Sequence, residues 1–297
     1  MSSFIRLSSS EFLTFDVPKV MGVLNVSPDS FYNPTATDQA AIVIAEKMID
    51  EGVDVIDIGG EASNPASDWC FEPSLVQQRV LAVLRYLRPR FKGLISIDTQ
   101  MPALMEVALG EGADLINDQT ALANAGAKAI VARHKAPVIL MHHFKGRVGG
   151  ATSASQMVTD IKQSFQAMVI ACNQAGIDSD RIILDPGFGQ GHYGKNTQEN
   201  FYLLAHLQEI VELGYPVLVG WSRKSMLGDI LNNRPVGGRL AATIAVNTIA
   251  LMCGASLLRV HDVEAAKDAV ATVCAMRDNA DGSAVSCGLS ESVKGWV

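Results

Sequence analysis

Short apolar runs alternate along this chain with longer segments of helical spacing, and nearly every run ends in a side chain that can do chemistry. The runs are Met21-Gly-Val-Leu-Asn25, Val55-Ile-Asp-Ile-Gly59, Leu94-Ile-Ser-Ile-Asp98, Leu115-Ile-Asn117-Asp118, Val138-Ile-Leu-Met-His142, Ile182-Ile-Leu-Asp185, Val217-Leu-Val-Gly-Trp-Ser222 and Leu257-Leu-Arg259-Val-His261. Near-continuous Val/Ile/Leu runs predict strands buried on both faces, as in a parallel sheet. Between them, Ala40 to Glu51 carries Ile42, Ala45, Met48 and Ile49 on one helical face, and Ser155 to Ala175 and Asn196 to Leu213 read as helices too. Gly52 and Gly176 follow two of these segments, where C-terminal caps are expected.

About eight strand-then-helix units fit between Val20 and Met276, which is the usual extent of a (β/α)8 barrel. The predicted fold is therefore a single-domain α/β TIM barrel over residues 19–278, with an N-terminal extension at 1–18 and a C-terminal tail at 279–297 as peripheral decoration. An open doubly wound sheet is the competing fold. It would gather its ligand at one switch point and leave most strand ends chemically silent, whereas here polar residues end almost every strand.

Composition narrows the partners. At 297 residues and 48% hydrophobic the chain can bury a large core. With 24 basic and 31 acidic side chains its net charge is −7, so nothing draws it globally to nucleic acid or an anionic membrane, and any phosphate site must be local. No apolar run approaches the ~20 residues of a membrane span, and Ser8, Ser9, Ser10 and Glu11 interrupt any signal-peptide core. A cytoplasmic protein is expected. Cys70, Cys172, Cys253, Cys274 and Cys287 lack C-x-x-C spacing and read as reduced thiols, and His142, His143 and His192 lack the spacing of a transition-metal site.

Two groups of strand-end residues suggest a ligand. Asp98, Asn117 and Asp185 end neighbouring strands. One buried carboxylate can cap a helix, but three such groups converging in one barrel call for a polar ligand between them. Arg223 and Lys224 end the seventh strand, and Arg259 and His261 the eighth, where barrel enzymes often bind phosphate. Arg259 has the fork geometry for phosphate oxygens. Asn25 suits a turn and a ligand equally.

These runs belong to seven longer motifs: Met21-Gly-Val-Leu-Asn-Val-Ser-Pro-Asp-Ser-Phe31, Asp57-Ile-Gly-Gly-Glu61, Ser96-Ile-Asp98-Thr99, Ile116-Asn117-Asp118, Asp185-Pro-Gly-Phe-Gly189, Ser222-Arg-Lys-Ser-Met-Leu-Gly228 and Arg259-Val-His-Asp-Val263. In this order the chain resembles the dihydropteroate synthase family. The resemblance implies an enzyme that joins 6-hydroxymethyl-7,8-dihydropterin pyrophosphate to 4-aminobenzoate and releases pyrophosphate by a dissociative path. It implies that Asp98, Asn117 and Asp185 bind the pterin edge, that Arg259 and His261 hold the pyrophosphate, and that Lys224 lies between the two substrates. Asp98, Lys224, Arg259 and His261 would be catalytic. Ser63, Asn64, Pro65, Phe188, Gln190 and Ser222 would complete the substrate sites, and Asn25 would supply a protein oxygen to Mg2+. A homodimer through the last helices, around Leu240 to Cys253, and sulfonamide binding in the 4-aminobenzoate pocket are implied as well.

The chain departs from the family where the second substrate should bind. Glu61-Ala62-Ser63-Asn64-Pro65-Ala66 stands for the usual Glu-Ser-Thr-Arg-Pro-Gly, and Phe188-Gly189-Gln190-Gly191 for Phe-Gly-Phe-Gly, with His192-Tyr193-Gly194 extending the loop before Lys195. Tyr32-Asn33-Pro34 replaces the common Ser-Asp-Gly-Gly. A lost arginine and a lost aromatic predict a weak 4-aminobenzoate site. The competing readings are a paralogue with another acceptor, a pterin-binding protein without activity, and a methyltetrahydrofolate-type methyltransferase domain. The last has no need of the cations in Ser222-Arg-Lys and Arg259-Val-His.

Overall fold

The computed structural model describes residues 4–26, 34–60, 73–144 and 153–279. Ser63, Asn64 and Pro65, the altered first loop at 27–33, Cys70, Cys287 and the tail from 280 onward lie outside the described residues. The chain opens with β1 (Phe4–Arg6) and β2 (Phe12–Thr14) and then alternates strand and helix: β3 (Lys19–Asn25), α1 (Pro34–Asp50), β4 (Val55–Gly59), α2 (Pro73–Leu87), β5 (Leu94–Asp98), α3 (Pro102–Gly110), β6 (Leu115–Asp118), α4 (Ala127–His134), β7 (Val138–Met141), α5 (Ala154–Gln174), β8 (Ile182–Asp185), α6 (Thr197–Ala205), α7 (Leu207–Val211), β9 (Leu218–Val219), α8 (Ser225–Ile230), α9 (Leu240–Met252), β10 (Leu257–Val260) and α10 (Val263–Asn279). No described helix is long and apolar enough to cross a membrane.

Eight of the strands pair side by side in the order β8-β7-β6-β5-β4-β3-β10-β9, all in parallel. A parallel bridge between Leu184 and Val217 joins the two ends of that order, and Leu184 N–H donates to the Pro216 carbonyl at 2.9 Å. The (β/α)8 barrel expected from the sequence is thus the fold, with its helices outside. Gly52 and Gly176 both adopt positive φ, at +77° and +88°, directly after α1 and α5 as caps require. The helix expected over Asn196–Leu213 is broken: His206 leaves helical geometry (φ −109°, ψ 18°) between α6 and α7. There its ring stacks on Tyr202.

Side chains alternate across a strand, and this period explains the barrel's interior. Met21, Val55, Leu115, Ile139, Ile183, Leu218 and Leu257 form one apolar cluster, a residue from each of seven strands, with Leu94 packed against it. Two residues further along these strands stand Asp57, Ser96, Asn117, Asp185 and Arg259, and two beyond again Asn25 and Asp98. An apolar floor therefore carries a polar layer at the C-terminal end.

The N-terminal extension is no decoration. Its hairpin pairs Ile5 with Leu13, and Ile5 and Phe15 are buried in the same floor cluster, closing the barrel from below. Arg181 Nη1 ties it down by donating to the carbonyls of Arg6 and Leu7 at 3.0 and 3.2 Å. Ile5→Ala is expected to cost roughly 2–5 kcal/mol, the range for truncating a fully buried Ile. A decorative hairpin would lose less than about 0.5 kcal/mol. Urea unfolding measures the difference.

Candidate active site

The polar layer converges on Arg259. Its Nε donates to Asp57 Oδ2 and its Nη2 to Asp98 Oδ2, both at 2.7 Å. Asn117 Nδ2 donates to the same Asp57 oxygen at 3.0 Å, and Gln119 Nε2 reaches Asp98 Oδ1 at 3.3 Å. Asp57 is wholly buried. Burial by itself would lower the Arg259 guanidinium, but Asp57 and Asp98 outweigh it and hold the group above its ordinary value, so it is charged at every working pH. The expected two-point grip on phosphate is thereby narrowed. The Nε/Nη2 side of the fork is committed to carboxylates, and an anion can be met only at the Nη1/Nη2 end.

Asp185 and Lys224 form the second half. Asp185 Oδ1 accepts the Gly187 N–H at 2.7 Å. Burial raises its carboxyl, while Lys224, that hydrogen bond and Arg259 pull it back. Burial likewise lowers the Lys224 ammonium, to about 8, against the pull of Asp185. Lys224 Nζ donates to the Phe188 carbonyl and lies 4.5 Å from the centre of the Tyr193 ring. Because the depressed Lys224 is a cation below about 8 and neutral above it, affinity for an anionic ligand bound beside it is expected to fall as pH rises through that value. In Lys224→Gln this limb should be absent; calorimetry on either side of the transition checks it.

His261 and Ser222 meet at the ends of β10 and β9. Ser222 Oγ accepts the His261 backbone N–H at 3.1 Å and lies 2.9 Å from its Nδ1. If the hydroxyl proton goes to Nδ1, the ring proton is left on Nε2, facing outward. His261 is exposed at the residue level, yet partial desolvation at the site, and then the charge of Arg259, lower its imidazole. The shift favours the neutral ring at pH 7. Arg223, grouped by sequence with the phosphate cations, instead pairs with Asp262 at 2.9 and 2.6 Å, held by a left-handed backbone with φ +57°.

Asn25 sits over a space left by glycine. A Cβ on Gly59 would stand 3.5 Å from Asp98 Cβ and 3.6 Å from both Asn25 Oδ1 and Asp98 Oδ2, so the amide and carboxylate oxygens border one gap. Among the described residues no group of three or more His, Cys, Asp or Glu could hold a metal ion. These donors fit Mg2+, which takes few protein ligands and completes its shell with phosphate and water. Charge fits as well. Among the described residues, Asp57, Asp98 and Asp185 are balanced by Arg259, Lys224 and Lys195, so a diphosphate arriving here would add negative charge for a divalent cation to offset.

Of the remaining expected residues, Phe188 is buried with its ring 4.7 Å from Trp221 and offers the site its carbonyl. Gln190 Nε2 donates to Thr197 Oγ1 and Asp229 Oδ2, both at 2.6 Å. Sequence reasoning missed Asp57, Gln119 and Tyr193 as site residues. Asp57 stood in a quoted motif, two positions from a strand's end, and the strand period was the available signal.

The sequence pattern of the pterin binding enzymes matches residues 21–261. A dihydropteroate synthase of Escherichia coli K12 is 38% identical over 262 residues, 86% of this chain and 90% of its own. Among solved structures, a dihydropteroate synthase of Coxiella burnetii in complex with pteroic acid is 46% identical, covers 93% of this chain and 99% of its own, and superposes with a TM-score of 0.86. That of Xanthomonas albilineans with 4-aminobenzoic acid is 36% identical with the same coverage and a TM-score of 0.84.

Proposed function

Because the chain belongs to the pterin-binding enzymes, and among them to the dihydropteroate synthases, we propose that it condenses 6-hydroxymethyl-7,8-dihydropterin pyrophosphate with 4-aminobenzoate to give 7,8-dihydropteroate and pyrophosphate. The observation that carries this reading is Arg259 fixed between Asp57 and Asp98 beside Asn117, Asp185 and Lys224.

The pterin ring presents an edge of alternating donors and acceptors. Asp185 and Asp98 accept from its N–H groups and Asn117 completes the set, in a pocket dry enough that each hydrogen bond to a charged group is worth ~1.5–3 kcal/mol. The diphosphate then lies toward Arg259 and His261. As the bond from the exocyclic methylene to oxygen breaks, the dihydropterin ring spreads the positive charge and the departing oxygen gathers the negative. The end of the Arg259 guanidinium and the Nε2–H of His261 meet that growing charge, and donors placed where charge develops commonly form the largest catalytic contribution. Asn25, with Asp98 across the Gly59 gap, would hold Mg2+, which when bound neutralises diphosphate charge. The arylamine needs no strong base, since its lone pair is free near neutral pH. It adds to the methylene, and its proton leaves to solvent.

The same proposal extends to assembly and location. Leu240 at the start of α9 and Met276 in α10 are exposed apolar side chains on adjoining helices, and support a homodimer through this face. Cys172 and Cys274 are free thiols, in keeping with work in the reducing cytoplasm. A sulfonamide, sharing the arylamine shape, should compete with 4-aminobenzoate.

The test is to incubate the protein with the pterin pyrophosphate, Mg2+ and 4-aminobenzoate and to identify the products by mass. Dihydropteroate and pyrophosphate in equal amounts are expected. Binding without turnover, or turnover only with a different acceptor, would overturn the proposal.

A further inference from the structure

Behind Asp185 stands a second buried cation. Lys195 lies near the end of the loop from β8 to α6 and is buried, which a lysine rarely is unless its charge is met. Its Nζ donates to the Gly187 carbonyl at 2.9 Å, and the N–H of the same Gly187 donates to Asp185 Oδ1 at 2.7 Å. One glycine therefore stands between the lysine and the carboxylate, with a hydrogen bond on each side. That glycine cannot shift toward the neighbouring strand: at its φ of +69° a Cβ would come 1.9 Å from the His142 carbonyl oxygen. The His142 N–H in turn donates to the Asp185 carbonyl at 2.8 Å. The walls around the lysine are aromatic. Its Nζ lies 5.3 Å from the centre of the Phe144 ring, which meets the His142 ring edge-on at 4.5 Å, and Phe165 stands 6.1 Å from that imidazole. Burial, then Lys195 and His143, push the imidazole down to about 3, so His142 adds no charge of its own.

We propose that Lys195 is a positioning residue for pterin recognition, fixing the Asp185 carboxylate through Gly187 and supplying positive charge behind it; the inference rests on the synthase reading above. Asp185 must be ionised to accept from the pterin N–H groups, and burial opposes this by raising its carboxyl. Four groups pull it back: Lys224 from the turn after β9, the Gly187 N–H, Arg259 from β10, and Lys195. Tyr193, whose phenol burial pushes to about 12, stays protonated and takes no part. In the proposed reaction a bound diphosphate draws on Lys224 and Arg259. Lys195 is enclosed by Gly187, Phe144 and His142, so its charge stays with Asp185 whether or not the diphosphate is bound. Charges act strongly across such a desolvated setting.

The experiment is calorimetry of wild type, Lys195→Met and Lys195→Arg with 6-hydroxymethyl-7,8-dihydropterin across the acid and neutral range, and with pyrophosphate plus Mg2+, alongside a melting curve for each. Lys195→Met keeps length and removes charge. It should weaken pterin binding about tenfold at neutral pH and leave pyrophosphate binding unchanged. Pterin affinity falls as pH drops through the Asp185 titration. Without the lysine that carboxyl titrates higher, so the fall should begin at higher pH and the gap from wild type should be widest on the acid side. Lys195→Arg keeps the charge and should hold the acid limb near its wild-type position. If Lys195→Met does not fold, Lys195→Gln is read in its place with the same expectation. Unchanged pterin affinity overturns the assignment. So does a pH-independent weakening of both ligands with a lower melting temperature, which would make Lys195 a structural pin. A wild-type protein that binds no pterin would instead bring down the synthase reading itself, before any variant is compared.

Discussion

Arg259→Lys is expected to lower kcat/KM for condensation roughly 10²–10³-fold, the usual effect of removing one donor aimed at developing negative charge. The substitution keeps the positive charge, so the loss isolates geometry. In the native site Nε and Nη2 reach Asp57 Oδ2 and Asp98 Oδ2 at the same time, each at 2.7 Å. In the proposed reaction the far end of the planar group would then meet the leaving oxygen. An ammonium is a compact point charge with no fixed fork; it can satisfy one carboxylate and face the anion, or bridge two carboxylates and face nothing. Most of the loss should appear in kcat, because the guanidinium's hydrogen bonds strengthen as pyrophosphate departs. Steady-state kinetics at saturating Mg2+ decide it. A loss within about fivefold would mean that bulk charge near the site suffices.

Asp57→Asn is the second large effect, roughly ten- to hundredfold in kcat/KM, from a side chain that in the proposed reaction acts by holding Arg259. Asp57 is fully buried, and its Oδ2 accepts from both Arg259 and Asn117. The amide keeps shape and removes charge, and hydrogen bonds to charged groups contribute ~1.5–3 kcal/mol. Released from one of its two anchors, Arg259 can swing toward Asp98. Since Asp57 acts through Arg259, the two substitutions should not add. In the Arg259→Lys background Asp57→Asn should cost much less than it does alone. Additive losses would mean that Asp57 acts on substrate directly.

The parts of the fold legible in the sequence were those fixed by local period. Seven of the eight apolar runs marked their barrel strands to within a residue or two, because strands buried on both faces tolerate little else, while the run ending at Ser222 overran β9 by three residues. Asp98, Asn117, Asp185, Arg259 and His261 stood out because a polar or charged group at the end of such a run has one place to go, the C-terminal mouth. Long-range pairing was hidden. Nothing near Asp57 announces a guanidinium 202 positions away, and Arg223 looked like a phosphate cation until Asp262 was seen to hold it. The hairpin was missed because its strands have three residues each, too short to show a period. Tyr193 was hidden by loop geometry. Only the positive-φ turns at Gly187, Gly191 and Gly194 decide which side chain of an extended loop reaches the site.

In the proposed function one cluster would read a ligand in two halves, the pterin edge through Asp185 and its neighbours and the diphosphate through Arg259. Calorimetric titration of wild type, Asp185→Asn and Arg259→Lys with the pterin alone and with pyrophosphate plus Mg2+ measures this directly. Asp185→Asn should weaken pterin binding roughly ten- to hundredfold and leave pyrophosphate binding unchanged, and Arg259→Lys should show the reverse pattern. Equal weakening of both ligands in either variant, or no change in pterin affinity when Asp185 is altered, would contradict it.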